Sequence, residues 1–456
     1  MTKQNVQYSL RLYDEELLTF SLGHADLGDL EARVLTVHEP LRHLFPLDLT
    51  VSDAGVLKWL KRRIVPKNRV GAREVLEHFD LSPYDVKGLI DVSKGLSLND
   101  SYWVPPRDYP GSFAEENLFE NAFSEPMARI AFCGGEERDA AFARSPELTT
   151  NGMLPKAWRR MEDGGVWLYK SGAPGPFHTG FEPYSEYYAG QVAARMELPA
   201  VPYELEMWMD RLASKCRLFT DKDTSFVPIG RIVRSGNLKD CLDYYGALSQ
   251  EAAEQLKDML VFDAVIYNED RHFGNFGILR DNHTGKILGA APIFDNGRSL
   301  FYDAQSEQFA ELTTYAKTCW NPYGISYNKI CRVIMGDRQR EKLQKLRGFS
   351  FARHPRWNLP EERLSAIEEQ LRQRVEELLT LSDCEEKEEL EESLPDYVHA
   401  SIEQMKRSWA AIDAGKEDTS WDIYWCELQA DINFAEHERQ ISPDLARFLR
   451  KKYLRI

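Results

Sequence analysis

The chain is poor in the residues and patterns that mark several protein classes. Its seven cysteines are scattered along 456 residues and form no Cys-x-x-Cys pair, which gives no zinc-binding signature and fits a reducing cytoplasm. No run of about 18 apolar residues occurs, so a membrane-spanning helix is not expected. The first residues lack the apolar stretch of a secretory signal. We therefore expect a cytoplasmic protein.

Positive charge is also scarce. Lys and Arg number 57 against 73 Asp and Glu, and the formal net charge is -16. This balance argues against a broad phosphate-binding surface, so direct nucleic-acid binding is not expected. No helix with a basic recognition face stands out, which disfavours a DNA-bound repressor subunit. Hydrophobic residues make up 43% and aromatic residues 11% of the chain, enough for a packed core.

The most informative stretch runs from Asn268 to Asn275 and is followed by a second acid, Asp295, in Phe-Asp-Asn-Gly. Asp270 can accept a hydroxyl proton, and Asn275, five residues later, can bind Mg²⁺ through its amide oxygen. Protein kinases place an Asp, an Asn and a second Asp in this order. The spacing therefore predicts a phosphotransferase with Asp270 as base and with Asn275 and Asp295 as metal ligands. His272 lies inside the catalytic loop, and we interpret it as a residue that braces the loop.

Local patterns predict how these residues are brought together. Residues 259–267 are apolar and predict a buried helix, and residues 276–279 predict a short strand. The turn-forming residues 281–285 predict a hairpin, and residues 286–288 predict the returning strand. Such a hairpin would carry Asp295 back beside Asn275, as a shared metal ion requires.

A kinase also needs a lysine on a strand and an acid that holds it. Val166-Trp-Leu-Tyr-Lys170 predicts the strand, and Pro183 opens a helix with Glu186 in its first turn. We expect Lys170 and Glu186 to form an ion pair beside the nucleotide phosphates.

A candidate phosphate loop precedes the Lys170 strand. It has one glycine and not the Gly-x-Gly-x-x-Gly pattern, so a plain surface turn is the alternative interpretation. The candidate nucleotide-binding residues of this loop are Thr149, Thr150, Asn151, Gly152 and Lys156.

The chain as a whole predicts an α+β protein with a bilobal, protein-kinase-like fold. We expect an N-terminal α/β accessory domain over residues 1–105 and a β-rich kinase N-lobe over residues 106–225. A helical C-lobe would follow over residues 226–382, and an acidic helical extension over residues 383–456. The extension opens with an acidic run at residues 385–392.

With these motifs the chain resembles the HipA-like kinases, bacterial serine/threonine kinases best known from toxin–antitoxin pairs. The likeness covers roughly residues 145–380 and includes the Asp-x-His-x-x-Asn order of the catalytic loop. It implies ATP and Mg²⁺ as cofactors, a protein hydroxyl as acceptor and an antitoxin-like helix-turn-helix partner. It also implies that Thr149 stands where such kinases carry a phosphorylated loop hydroxyl. We expect self-phosphorylation at Thr149 or Thr150. The added charge should expel the loop and lower activity, unless a basic cluster such as Lys156, Arg159 and Arg160 captures the phosphate.

Two other functions stay open. A lipid or small-molecule kinase would keep the fold and change the acceptor, although the acidic surface weighs against a lipid. The other is a non-catalytic nucleotide-binding scaffold. Such a protein would not need Asp270, Asn275, Asp295 and Lys170 together, so their joint presence weighs against it.

Overall fold

A computed structural model shows a mixed α/β protein with several antiparallel sheets and many helices. It describes residues 6–24, 29–67, 69–70, 72–77, 79–134, 145–175, 178–381, 394–414, 418, 420–441 and 443–454. The acidic run at residues 385–392 lies outside the described residues. Within the described ranges, no helix is long and apolar enough to cross a membrane.

The chain divides into two compact units. The first consists of Met1–Gly190, Pro199–Ala253 and Phe273–Phe294, and the second of Gln191–Leu198, Glu254–His272 and Asp295–Ile456. The division into four domains that we drew from the sequence stays a prediction.

The N-terminal part of the first unit is a four-stranded antiparallel sheet with short helices. Tyr8, Leu10 and Leu12 are buried, because alternate residues of a strand point to the same face. The sheet has the order β3-β2-β1-β4. Its strands are β1 Val6–Leu12, β2 Glu15–His24, β3 Leu30–Val37 and β4 Tyr102–Trp103. The helices of this part are α1 Asp53–Lys61, α2 Ala72–Glu77, α3 Val86–Ser93, α4 Phe113–Glu116 and α5 Glu125–Cys133, with 3-10 turns at Glu39–Leu44 and Pro146–Leu148.

Two further antiparallel sheets complete the first unit. One has the order β5-β6-β8-β7 and the other the order β11-β10-β9. Their strands are β5 Lys156–Arg160, β6 Val166–Ser171, β7 Tyr203–Trp208, β8 Arg211–Arg217, β9 Thr224–Pro228, β10 Gly277–Asp281 and β11 Ile287–Ala290. The next helices along the chain are α6 Glu182–Arg195, α7 Ile229–Ile232, α8 Leu238–Leu248 and α9 Gln250–Ile266. The predicted hairpin at residues 276–288 is present as β10 and β11.

The second unit is helical where the structure describes it. Helix α9 ends at Ile266, and Tyr267 has the left-handed backbone of a helix end (φ 52°). The later helices are α10 Ser306–Ala310, α11 Leu312–Ala316, α12 Tyr327–Ile334, α13 Asp337–Gln344 and α14 Glu361–Thr380. Three more helices, Asp396–Asp413, Trp421–His437 and Pro443–Leu449, pack around their own apolar core with the last turn Arg450–Leu454. We call residues 394–454 the C-terminal module.

Candidate active site

The lysine and the acid predicted from the sequence meet in the first unit. Lys170 Nζ lies 2.7 Å from Glu186 Oε1, and both side chains are buried. The predicted ion pair is therefore present. One detail was wrong: α6 begins at Glu182, so Glu186 is its fifth residue and lies in the second turn.

Lys156 is placed on the same face of the sheet as Lys170. The two residues are directly paired across β5 and β6, and residues opposite each other in an antiparallel pair share a face. Lys156 is also buried. Its ammonium covers Gly152, where an added Cβ would lie 2.1 Å from Lys156 Nζ. Two buried ammonium groups on one face are suited to phosphate oxygens.

The hydroxyls of the candidate phosphate loop face the protein. Thr149 is buried, and its Oγ1 donates to the carbonyl oxygen of Leu96 at 2.7 Å. Thr150 Oγ1 donates to the carbonyl oxygen of Pro146 at 2.7 Å. Asn151 is exposed, and Gly152 has a φ of 95°, which favours glycine. Phosphorylation of either threonine would therefore require the loop to open.

Arg159 and Arg160, two members of the basic cluster that could capture such a phosphate, have guanidinium groups that are already held by other residues. Arg160 donates to four backbone carbonyl oxygens, at 2.8 to 3.1 Å, in Leu118, Phe119, Asn121 and Gly164. The Arg159 guanidinium lies over the rings of Tyr169 and Trp208. The sequence could not show this, because most of the groups that hold the two guanidiniums lie far away along the chain.

The predicted catalytic loop, in the second unit, is built on the last turns of α9. Asp263 is buried in that helix and accepts a hydrogen bond from Asn268 Nδ2 through its Oδ1 at 2.9 Å. Asn268 Oδ1 in turn accepts from the backbone amide of Asp270 at 3.0 Å. The loop that presents Asp270 is thus fixed at its start by side chains, which limits the positions that Asp270 can take.

Arg271 connects the two predicted catalytic segments. It is fully buried and donates from Nε to Asp263 Oδ2 at 2.9 Å. Its Nη2 donates to Asp263 Oδ1 at 3.0 Å and to Asn296 Oδ1 at 2.5 Å. We call Asp263, Arg271 and Asn296 the clasp. Sequence reasoning missed the clasp, although an acid inside the apolar run 259–267 was a signal for it.

The electrostatics of Asp270 depend on its partial burial and on its neighbours. Burial raises the pKa of Asp270, the nearby Arg298 lowers it, and the charge of Asp295 raises it. Arg298 Nη1 lies 3.7 Å from Asp270 Oδ1. Asp295 has a left-handed backbone (φ 59°), a conformation that Asp adopts more readily than most non-glycine residues.

The predicted metal ligands fall in different parts of the chain. Asp295, like Asp270 and His272, belongs to the second unit, whereas the buried Asn275 belongs to the first. The His272 side chain is exposed, and its backbone amide donates to the carbonyl oxygen of Asp270 at 2.8 Å. Among the described residues, no three His, Cys, Asp or Glu side chains form a metal-binding group.

Comparison with known proteins gives distant structural likenesses. No protein-family model and no curated protein matches the chain. The crystal structure of the Helicobacter pylori proinflammatory kinase CtkA is 18% identical, with 49% of this chain and 93% of that chain covered and a TM-score of 0.40. A structure of the Shewanella oneidensis MR-1 toxin–antitoxin system of HipA, HipB and its operator DNA is 12% identical, with coverages of 82% and 100% and a TM-score of 0.45.

The chain is similar to CtkA and to the HipA system. The resemblance predicted from the motifs thus recurs in the comparison of structures. Because both TM-scores are below 0.5, we infer the function from the residues of this chain.

Proposed function

We propose that the chain is an ATP-dependent serine/threonine protein kinase of the HipA-like type, with a bilobal kinase fold. It would transfer the γ-phosphate of ATP to a protein hydroxyl. The observation that carries this proposal is the clasp, in which Arg271 joins the loop of Asp270 to the loop of Asp295 inside one unit. A phosphotransferase needs a base and a metal-binding acid held at a fixed separation.

The residues of this chain have separable roles in the proposed reaction. Asp270 accepts the hydroxyl proton and orients the acceptor, and its raised pKa makes it a better base near neutral pH. Lys170, held by Glu186, and Lys156 bind phosphate oxygens. Backbone N–H groups of the loop from Thr149 to Lys156 can add further donors.

The residues also fit the proposed cofactors. A carboxylate and an amide oxygen, from Asp295 and Asn275, are the hard ligands that Mg²⁺ takes from proteins, and nucleotide phosphates supply others. The repulsion between Asp270 and Asp295 contributes to the raised pKa, and a cation is the group that relieves it. When bound, Mg²⁺ neutralises charge on the phosphate oxygens.

A partner follows from the resemblance and stays a proposal. The HipA structure contains HipB and operator DNA, and we propose an antitoxin-like helix-turn-helix partner and a toxin-like role in the cytoplasm. Isolation of the chain from its native cell under mild conditions, with identification of co-purifying proteins by mass spectrometry, tests this. Absence of any small DNA-binding protein would contradict it.

ATP turnover by the purified chain tests the kinase function. We expect Asp270→Asn to lower the transfer rate by about two to four orders of magnitude and to keep nucleotide binding, because the change removes proton acceptance. Asp243→Asn, at an exposed acid of α8, is the matched control. Equal turnover by Asp270→Asn and the wild type would refute the proposal.

A further inference from the structure

The C-terminal module contacts the segment that carries Asp270. Arg439 follows the helix Trp421–His437 and belongs to the same unit as the catalytic loop. Its Nη1 lies 3.3 Å from Asp303 Oδ2 and 3.8 Å from Glu269 Oε2. A residue about 170 positions later in the chain thus reaches the direct neighbour of Asp270.

The backbone of Arg439 does not by itself favour an arginine. Its φ is 55°, its amide donates to the carbonyl oxygen of Glu436, and the Gln440 amide donates to that of Ala435. These bonds form a Schellman helix end, whose left-handed position is usually glycine. The helix end would therefore be satisfied by glycine, and the guanidinium contacts are what the arginine adds.

Glu269 is tied to the catalytic residues on both sides. Its carboxylate is nearly buried and accepts a hydrogen bond from the Trp320 amide at 3.4 Å as well as the contact of Arg439. Its own amide donates to the carbonyl oxygen of Arg298 at 3.0 Å. Arg298 in turn lies 3.7 Å from the carboxylate of Asp270. Displacement of Glu269 would therefore move both Asp270 and the guanidinium of Arg298 beside it.

A second contact of the module reaches the same region. A Cβ placed on Gly324 would lie 2.8 Å from Arg447 Nη2, so the Arg447 side chain packs closely on this glycine. The preceding residue, Tyr323, donates from its hydroxyl to the carbonyl oxygen of Arg271 at 2.6 Å. The module thus touches a loop that itself bonds the catalytic segment.

We propose that Arg439 is a positioning residue of the kinase: it holds Glu269 in place, and through Glu269 and Arg298 it fixes Asp270. The inference rests on the proposed function and deepens it, because it makes the C-terminal module a part of the catalytic apparatus. A partner or modification that displaces Arg439 would slow phosphoryl transfer without touching the nucleotide site.

The first test compares ATP turnover by purified full-length variants. We expect Arg439→Gly to lower kcat about tenfold with the KM for ATP unchanged, because small misplacements of a catalytic group have effects of this size. Its thermal midpoint should change little, because the better fit of glycine to the left-handed backbone offsets the loss of two partly exposed ion pairs. Arg439→Lys should recover most of the rate. Arg450→Ala, which breaks the 2.5 Å pair with Glu436 inside the module, should leave kcat unchanged.

A double-mutant cycle tests the path through Glu269. If Arg439 acts through Glu269, Glu269→Gln combined with Arg439→Gly should be no slower than the slower single variant. Wild-type kcat in Arg439→Gly, or fully additive effects in the cycle, would overturn the proposal.

Hydrogen exchange separates this proposal from the kinase function, because it needs no substrate. We expect Arg439→Gly to speed exchange of the amides of residues 268–272, and Arg450→Ala to leave it unchanged. Unchanged exchange in Arg439→Gly would overturn the positioning role even in an active enzyme. If wild-type protein turned over ATP no faster than Asp270→Asn, the kinase function would fail, and exchange alone would decide the positioning role.

Discussion

At the scale of single residues, the buried pair of Lys170 and Glu186 gives a direct prediction. Lys170→Met should raise the KM for ATP more than Glu186→Gln does. The Glu186 variant keeps the ammonium of Lys170 and removes only the carboxylate that holds it in place. Both variants should lose stability, since breaking a buried pair costs about 3–5 kcal/mol. Initial rates over a range of ATP concentrations check the order.

A lysine on the other face of the same sheet provides the control. Lys215 pairs with Glu206 at 2.8 Å and stands opposite Tyr169 in the sheet register, and therefore on the face away from Lys170. Lys215→Met should leave the KM for ATP unchanged. A loss of ATP affinity in Lys215→Met as large as in Lys170→Met would mean that sheet stability, and not phosphate binding, explains the effect.

At the scale of structural elements, the clasp connects α9, the catalytic loop and the loop after Asp295. Arg271→Lys removes the planar fork that serves Asp263 and Asn296 at once, and lysine cannot replace it. We expect transfer to fall at least about tenfold while ATP binding persists.

Arg374→Lys is the matched control for the clasp. Arg374 is another buried arginine of the second unit, and it donates from Nε to the carbonyl oxygen of Ala264 at 3.0 Å. This variant should lose stability and retain the rate per folded molecule. Equal rate losses in the two variants would show that the clasp has only a structural role.

The catalytic loop also gives a prediction about pH. The pKa of Glu269 is raised to about 7, chiefly by burial and also by the charge of Asp303, while Arg439 acts to lower it. Between pH 4.5, the ordinary pKa of a glutamate, and about pH 7, Glu269 therefore keeps its proton in the folded protein and loses it in the unfolded chain. Stability should fall as the pH rises from about 4.5 to about 7, because the unfolded state binds fewer protons there.

Glu269→Gln should remove this component of the pH dependence, which amounts to at most about 3 kcal/mol. Unfolding in urea at pH 5 and at pH 8 measures it in both proteins. The other groups that face Glu269 are present in both proteins, and the tyrosines, Cys319 and the arginines among them titrate above this pH range. These groups are Arg298, Tyr302, Asp303, Tyr315, Cys319, the Trp320 amide, Tyr327 and Arg439. Parallel pH profiles in the two proteins would contradict the assignment.

At the scale of the whole molecule, ATP with Mg²⁺ should stabilise the folded chain. A ligand at a hundredfold excess over its Kd adds about 2.7 kcal/mol to the unfolding free energy. We expect the thermal midpoint to rise in the wild type and in Asp270→Asn, to rise less in Lys170→Met, and to respond weakly in excess EDTA. An equal rise with EDTA present would contradict a metal-dependent site.

Local sequence determined the elements that carry the candidate site. Apolar runs and turn residues predicted the end of α9, the β10–β11 hairpin and strand β6, because these depend on neighbours within a few residues. The order of Asp270, Asn275 and Asp295 along the chain predicted the class of chemistry. Lys170 and Glu186 are 16 residues apart, and their order before Asp270 was enough to predict the pair.

Only the tertiary structure decided what surrounds those residues. The clasp partner Asn296, the inward-facing hydroxyl of Thr149, the guanidinium of Arg160 and the contact of Arg439 with Glu269 all depend on contacts between distant parts of the chain. No local pattern encodes such contacts, because a buried charged group takes its partner from whichever element packs against it. The sequence by itself determined which residues we propose for the chemistry, and the packing of distant segments decided what holds them in place.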